Sequence, residues 1–247
     1  MANQELVFGI HAVQAILKAA PQRVVNIYLL RGRQDLRIQK IVGAAEAADI
    51  SVQIIDKKRI DRMCDGNHQG ALALIEPGHA LDEKQLYELI ARLDRDPLVL
   101  VLDGVTDPHN LGACIRTADA AGVDAVVIPK DNSASMTEIA RKVASGAADT
   151  VPLFPVTNLA RCLKKMQELG LWVAGAAGEA EHSIYDTRLT GPRVIVMGSE
   201  GSGMRRLTRD TCDELVKIPM AGSVSSLNVS VAAGVVLFEV VRQRQPA

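Results

Sequence analysis

Four cysteines in 247 residues are too few and too scattered to organise a fold. Cys64, Cys114, Cys162 and Cys212 stand about 50 residues apart, none in a C-x-x-C pair, and no H-E-x-x-H occurs. A disulfide framework and a structural zinc centre are therefore not expected, and no metal site is assigned. The five histidines are equally dispersed and read as single satisfied side chains. No apolar run approaches the roughly 20 residues of a membrane span, so no membrane partner is expected. The stretch "MANQELVFGIHAV" lacks a basic region followed by a long apolar one. No secretory signal is read there, and a soluble, cytoplasmic protein is the expectation. A charge excess is missing too. The net charge of −1 argues against wholesale coating of nucleic acid. Local basic clusters, "LLRGRQDLRIQK" and "DKKRIDR", stand out more, although a solvated helix face accounts for most such runs.

What is present is apolar β-rich sequence alternating with helical patterns from end to end. In residues 1–76, "GIHAVQAILKAA", "DLRIQKIVGAAEAA" and "KKRIDRMC" have helical spacing, and "VVNIYLL", "SVQIID" and "GALALIE" read as strands. That is a small α/β domain. Residues 77–96 break the pattern between Pro77-Gly78 and Asp96-Pro97. They read as an interdomain linker with a short helix of its own, Leu86, Leu89, Ile90 and Leu93 on one side. In residues 97–247, six runs read as strands: "LVLVLDG", "DAVVIP", "TVPLFPV", "LWVAGAAG", "RVIVMGSEG" and "ELVKIPM". Their near-continuous hydrophobicity suits a parallel sheet covered on both faces.

Ligands of open parallel sheets gather beyond the carboxyl ends of the strands, and three loops there are unusual. In "LDGVTDPHNLGACIRTADAAG" a strand ends at Asp103 and a helix begins near Asn110, which is suited to cap it. Arg116 follows within that helix. A capped helix with one surface arginine explains the loop equally well. Asn110 and Arg116 beside an anionic or hydroxyl-bearing substrate is the sharper reading, since a five-donor guanidinium suits phosphate. In "VIVMGSEGSGMRRLT" a strand runs into Gly198, Gly201 and Gly203 with Glu200 between them. The order is G-x-x-G-x-G, not the dinucleotide G-x-G-x-x-G, and no G-x-x-x-x-G-K-[ST] exists. In "PMAGSVSSLNVSVAAGVVLFEVV" a core-like helix is entered through Ser225, Ser226 and Asn228. Those groups either cap the helix start or ring a polar ligand.

In order and spacing, Asn110-x-Gly112 with Arg116, then "GSEGSGM", then "IPMAGSVSSLNVSVAAG" resemble the three motifs of the SPOUT methyltransferases, SpoU or TrmH-like branch. The resemblance covers the whole chain. "FGIHAV" and the "HQG" of residues 68–70 are similar to that branch's amino-terminal substrate-binding domain. The resemblance implies a parallel-sheet α/β catalytic domain over 97–247 with a deep trefoil knot, an RNA-binding domain over 1–76, and a homodimer. It implies S-adenosylmethionine as methyl donor, held by Gly198, Ile218 and Leu227 with Ala177, Gly178 and Met220 nearby. It implies transfer to a ribose 2′-hydroxyl, most similarly to the bacterial enzymes that act on a guanosine in the peptidyl-transferase region of 23S ribosomal RNA. Other branch members act on transfer RNA or other ribosomal sites. Arg116 is the family's proposed base, in the active site of the other subunit, with Asn110, Glu200, Ser226 and Asn228 orienting it and the ribose.

For RNA, Arg31, Arg33, Arg37, Lys57, Lys58 and Arg59 are the candidate phosphate contacts, either on free RNA or on an assembling large subunit. The first 100 residues hold Phe8, Tyr28 and Tyr87 as their aromatics, which disfavours readout by stacking several bases. Two rivals remain: a nucleotide-dependent oxidoreductase using "GSEGSG", and a ribosome-assembly factor that binds RNA without catalysis. The first lacks the full dinucleotide fingerprint. The second gives no reason for Asn110, Arg116, Glu200 and Asn228 to occur together.

Overall fold

Apolar runs rich in valine, leucine and isoleucine form the strands, and acidic or amide side chains cap most of the helices that follow. The computed structural model describes residues 4–33, 35–64, 66–76 and 81–245. The chain divides into two units, Met1–His79 and Ala80–Ala247.

The first unit runs β1 (Glu5–Phe8), α1 (Ile10–Ala19), β2 (Val24–Leu30), α2 (Leu36–Ala47), β3 (Val52–Ile55), α3 (Lys57–Met63) and β4 (Ala71–Ile75). Its sheet has the order β1-β4-β2-β3, with β2 and β3 parallel and β4 antiparallel to both its neighbours. Strand β1 was not foreseen. It is four residues long, and the adjoining helical pattern masks it. Asp35 caps α2, accepting from Arg37 N at 3.1 Å and Ile38 N at 3.3 Å, and Asp56 caps α3 through Arg59 N at 2.8 Å. Ile10, Val13 and Ile16 of α1 and Ile38 and Ile41 of α2 fill one face of the sheet.

The second unit runs α4 (Glu83–Arg92), β5 (Leu98–Asp103), α5 (Pro108–Ala120), β6 (Ala125–Pro129), α6 (Glu138–Ala144), β7 (Leu153–Val156), α7 (Leu159–Glu168), β8 (Trp172–Ala176), β9 (His182–Ser183), β10 (Arg193–Gly198), α8 (Arg206–Thr211), β11 (Glu214–Lys217) and α9 (Val229–Arg244). Its seven strands are ordered β7-β6-β5-β10-β8-β11-β9, every pairing parallel. Strand alternation divides the interior in two. Leu98, Leu100 and Leu102 of β5 pack with α5, α6 and α9 on one face, while Val99 and Val101 pack with α4 and α7 on the other. Both faces are covered, as the continuous apolar runs require.

Three sequence expectations change here. The helix of the expected linker is α4, closed by a capping box between Asp82 and Gln85. Its Leu86 and Ile90 are buried in the second unit's core, so the described part of 77–96 packs as a working element of that unit, and residues 77–80 lie outside the described residues. Helix α5 starts earlier than expected. Asp107 is its cap, accepting from His109 N at 2.9 Å, and Pro108 occupies the first turn, where its missing N–H costs nothing. The short elements β9 and α8 carry too little periodicity to be read from sequence.

Gly112 answers to packing. A Cβ there would stand 2.4 Å from the Ala140 carbonyl oxygen of α6. At the far end, Arg244 donates to the carbonyls of Asp96 at 3.2 Å, Pro97 at 3.0 Å and Gly191 at 2.6 Å, fastening α9 to the entry of β5. Gln243 Oε1 accepts from Leu189 N at 2.7 Å beside it.

Gly112→Ala is expected to cost about 1–3 kcal/mol, read as a lower midpoint in thermal or urea unfolding. Burial pushes the thiols of Cys114 and Cys212 up to about 12 and that of Cys162 to about 11. A thiol-specific disulfide reagent at pH 8 is therefore expected to leave these three unmodified in native protein and to titrate them after denaturation.

Candidate active site

The carboxyl ends of β5, β10, β8 and β11, four neighbours in the sheet, open onto one region of the second unit. The loops that follow them carry the unusual sequences.

The loop after β10 is closed on itself. Ser199 and Gly203 exchange backbone hydrogen bonds of 3.0 Å in both directions. Gly201 and Gly203 hold φ of 84° and 68°, backbone open to glycine at little cost. A Cβ on Gly198 would lie 2.2 Å from the Gly203 carbonyl carbon, so that glycine permits the closure. Asp103, buried at the end of β5, anchors the loop's exit by accepting from Arg205 N at 2.8 Å and facing Arg205 Nε at 2.9 Å.

The closed loop presents Glu200 to two other segments. Its Oε1 accepts from Asn110 Nδ2 at 3.3 Å, Asn228 Nδ2 at 2.6 Å and Val229 N at 3.1 Å. Asn228 Nδ2 also donates to Asn110 Oδ1 at 2.9 Å. A carboxylate at the amino end of α9 lies favourably in the field of the helix dipole. Three distant motifs, the first 118 residues from the last, thus meet at one oxygen.

Asn228 answers both readings of the third loop. Its Oδ1 accepts from Ser230 N at 3.0 Å, which is a helix cap, while its Nδ2 faces Asn110 and Glu200. Ser225 and Ser226 do not cap; they are exposed and line a cavity. Because Asp107 is the cap of α5, the amide of Asn110 is left for Glu200.

The cavity has a volume of about 390 Å³. All six residues expected around the cofactor line it: Ala177, Gly178, Gly198, Ile218, Met220 and Leu227. Met197, Met204 and Val216 extend its apolar wall. Glu200 and Ser226 stand at its edge, and Asn110 and Asn228 reach it through Glu200. Arg116 is different. It is exposed on α5, does not line the cavity, and has no hydrogen-bond or ion-pair partner among the described residues.

Sequence reasoning did not pick out Glu179 and Arg209, which also line the cavity and pair with one another. Glu179 directly follows the expected Ala177 and Gly178 in sequence, but Arg209 belongs to α8, whose six residues carry no readable signal. No group of His, Cys, Asp and Glu suited to a metal ion occurs among the described residues.

In the first unit, the turn after β2 and the start of α3 come together, with Arg31 N donating to Ile55 O at 2.8 Å. Arg31, Lys57, Lys58 and Arg59 are exposed there, and Arg37 is exposed on the first turn of α2. Arg33 is held by its neighbours: its Nε donates to Asp35 at 2.6 Å and its Nη1 to the Gln69 carbonyl. The Arg33 guanidinium in turn holds the Asp35 carboxyl below the usual carboxylate range. The "HQG" segment closes this edge, His68 Nδ1 accepting from Gly70 N at 2.9 Å and Nε2 lying 2.9 Å from Asp61.

Comparison with known proteins gives these features a context. Residues 97–238 match the SpoU rRNA Methylase family, and residues 6–80 match the family of RNA 2′-O ribose methyltransferase substrate-binding domains. The 23S rRNA (guanosine-2′-O-)-methyltransferase RlmB of Escherichia coli K12 is 55% identical over 241 residues, covering 97% of this chain and 99% of that one. The Vibrio cholerae protein of the same name is 57% identical over 243 residues, covering 98% of each. Among solved structures, the SpoU methyltransferase AviRb from Streptomyces viridochromogenes, in complex with AdoMet, superposes with a TM-score of 0.79 at 22% identity, covering 98% of this chain and 91% of its own.

Glu200→Ala leaves Asn110, Asn228 and the α9 amino end without their common acceptor. It is expected to destabilise the protein by about 1–2 kcal/mol, read as a lower unfolding midpoint, because a charge-assisted acceptor is lost.

Proposed function

The chain belongs to the SpoU rRNA methylase family, and from that premise we propose that it transfers a methyl group from S-adenosylmethionine to the ribose 2′-hydroxyl of a guanosine in 23S ribosomal RNA. The observation that carries the proposal is the meeting of Asn110, Glu200 and Asn228 at the edge of a cavity that contains every residue expected around the donor. The target follows the curated relatives, which match over nearly the full length of the chain. The peptidyl-transferase region is the expected location within that RNA.

The cavity fits the donor in size and character, since small-molecule sites are mostly apolar clefts of roughly 300–1,000 Å³ with a few placed polar groups. Bound S-adenosylmethionine supplies an electrophilic methyl on a cationic sulfur. Met197, Ile218 and Leu227 exclude water from that end of the site, and the 176–179 and 225–227 segments bring main chain to the cavity wall, where an adenine is read. A dry, oriented site favours a step in which charge is neutralised.

The attacking hydroxyl must lose a proton or have its negative charge stabilised. A guanidinium with a pKa above about 12 is a poor base. Arg116 therefore acts by stabilising the developing alkoxide, its proton passing to a neighbouring phosphate, while Asn110, Glu200, Ser226 and Asn228 orient the ribose. Arg116 does this in the site of a second subunit. Its exposure outside its own chain's cavity supports that role, as does the apolar surface of α9, where Val231 and Phe238 are 52% and 48% exposed. The trefoil knot follows the family, with residues 219–234 as the threaded segment and the start of the last helix, and the bridge from Glu200 to Asn228 brings that segment against the loop after β10. The first unit positions RNA through Arg31, Arg37, Lys57, Lys58 and Arg59, with Arg33 bracing the turn that carries Arg31. No helix among the described residues is long and apolar enough to cross a membrane, and we place the reaction in the cytoplasm.

Mapping ribose methylation on ribosomal RNA from cells with and without the protein tests the assignment: one 23S guanosine is expected to lose its mark, and an unchanged 23S map overturns it. Arg116→Ala is expected to slow transfer about 100- to 1,000-fold, the scale of losing one donor to a developing oxyanion. Donor affinity by calorimetry should stay within about twofold. Phe238→Glu is expected to shift the protein from dimer to monomer in analytical ultracentrifugation.

A further inference from the structure

Three ionisable side chains line the cavity among the described residues: Glu179, Glu200 and Arg209. Glu200 is occupied by Asn110, Asn228 and Val229. That leaves Glu179, in the loop after β8, and Arg209, on α8, joined across the rim by an ion pair from Arg209 Nη1 to Glu179 Oε1. Their side chains are 57% and 42% exposed, so they mark the mouth and not the floor. A guanidinium has five donors in a planar fork, and Nε and Nη2 of Arg209 have no partner among the described residues.

We propose that Glu179 and Arg209 together grip the amino-acid end of the methyl donor, Arg209 taking its carboxylate and Glu179 its ammonium. The assignment rests on the donor reading above. Adenosine is uncharged and is matched by the apolar and uncharged groups that line the cavity apart from Glu200 at its edge. The amino-acid end is a zwitterion and needs one cation and one anion side by side. The rim supplies one such pair, already held together by mutual attraction, with half of the arginine fork unused. Stability alone is a weak account of the pair, since exposed ion pairs contribute little.

The test is calorimetric binding of three ligands to the intact protein: S-adenosylmethionine, its decarboxylated form, and 5′-methylthioadenosine, which lacks the amino-acid end. Arg209→Ala is expected to weaken S-adenosylmethionine about tenfold, the scale of one charge-assisted contact, while leaving the other two ligands within about twofold. Glu179→Gln should weaken both ammonium-bearing ligands and spare methylthioadenosine. Arg206→Ala, which removes a neighbouring charge outside the cavity, should change none of them. Unchanged S-adenosylmethionine binding in both rim variants overturns the proposal, and so does an equal loss for methylthioadenosine, which would mean a change in cavity shape. Wild-type protein that binds none of the three overturns the donor reading itself, a result distinct from either.

Discussion

One carboxylate oxygen holds the site together. Glu200 Oε1 collects a donor from the start of α5, another from the residue that caps α9, and the first backbone amide of α9 itself. Asn110 lies 90 residues before Glu200, and the adjacent Asn228 and Val229 follow it by 28 and 29. Remove the acceptor and two amide side chains and a helix end must each find water or strain toward a new partner, which is the costly side of hydrogen bonding in folded proteins. The order of the strands makes the meeting possible. Because β10 inserts between β5 and β8, the loop carrying Glu200 emerges between the Asn110 loop and the cavity wall formed after β8 and β11.

The glycines serve that geometry in different ways. Gly198 lets the loop close at a separation no side chain tolerates, Gly203 supplies the positive φ of the turn, and Gly112 lets α5 sit against α6 two residues beyond Asn110. Asp103 fixes the exit of the same loop from beneath. A site built this way is rigid at its polar centre and open at its rim, where the exposed Glu179–Arg209 pair stands.

Much of this was legible in sequence because it is local. Continuous valine and leucine runs announce strands buried on both faces, and six of the seven strands of the larger sheet were found that way. The motifs around Asn110, Glu200 and Asn228 carried their resemblance in spacing alone, and the six expected cofactor residues share one cavity. What escaped was short or long-range. Strand β1, the two residues of β9 and the six of α8 give no periodicity to read. Asn110 reads as the cap of α5 because amides cap well, but Asp107 with Pro108 behind it does so three positions earlier. Arg33 looked like its basic neighbours and proved to be tied to Asp35 and Gln69, a contact 36 residues away that no local pattern encodes.

The fastening of α9 bears on when the molecule becomes functional. The guanidinium of Arg244 grips carbonyls at Asp96, Pro97 and Gly191, and the helix behind it fills the core beneath α5. A chain made from its amino end has the first unit, and every strand of the second, out of the exit tunnel before the last helix arrives. Until then β5 and α5 lack their apolar cover and Glu200 lacks two of its three donors. Competence therefore waits for α9, and a polypeptide halted short of it holds its motifs without an assembled centre.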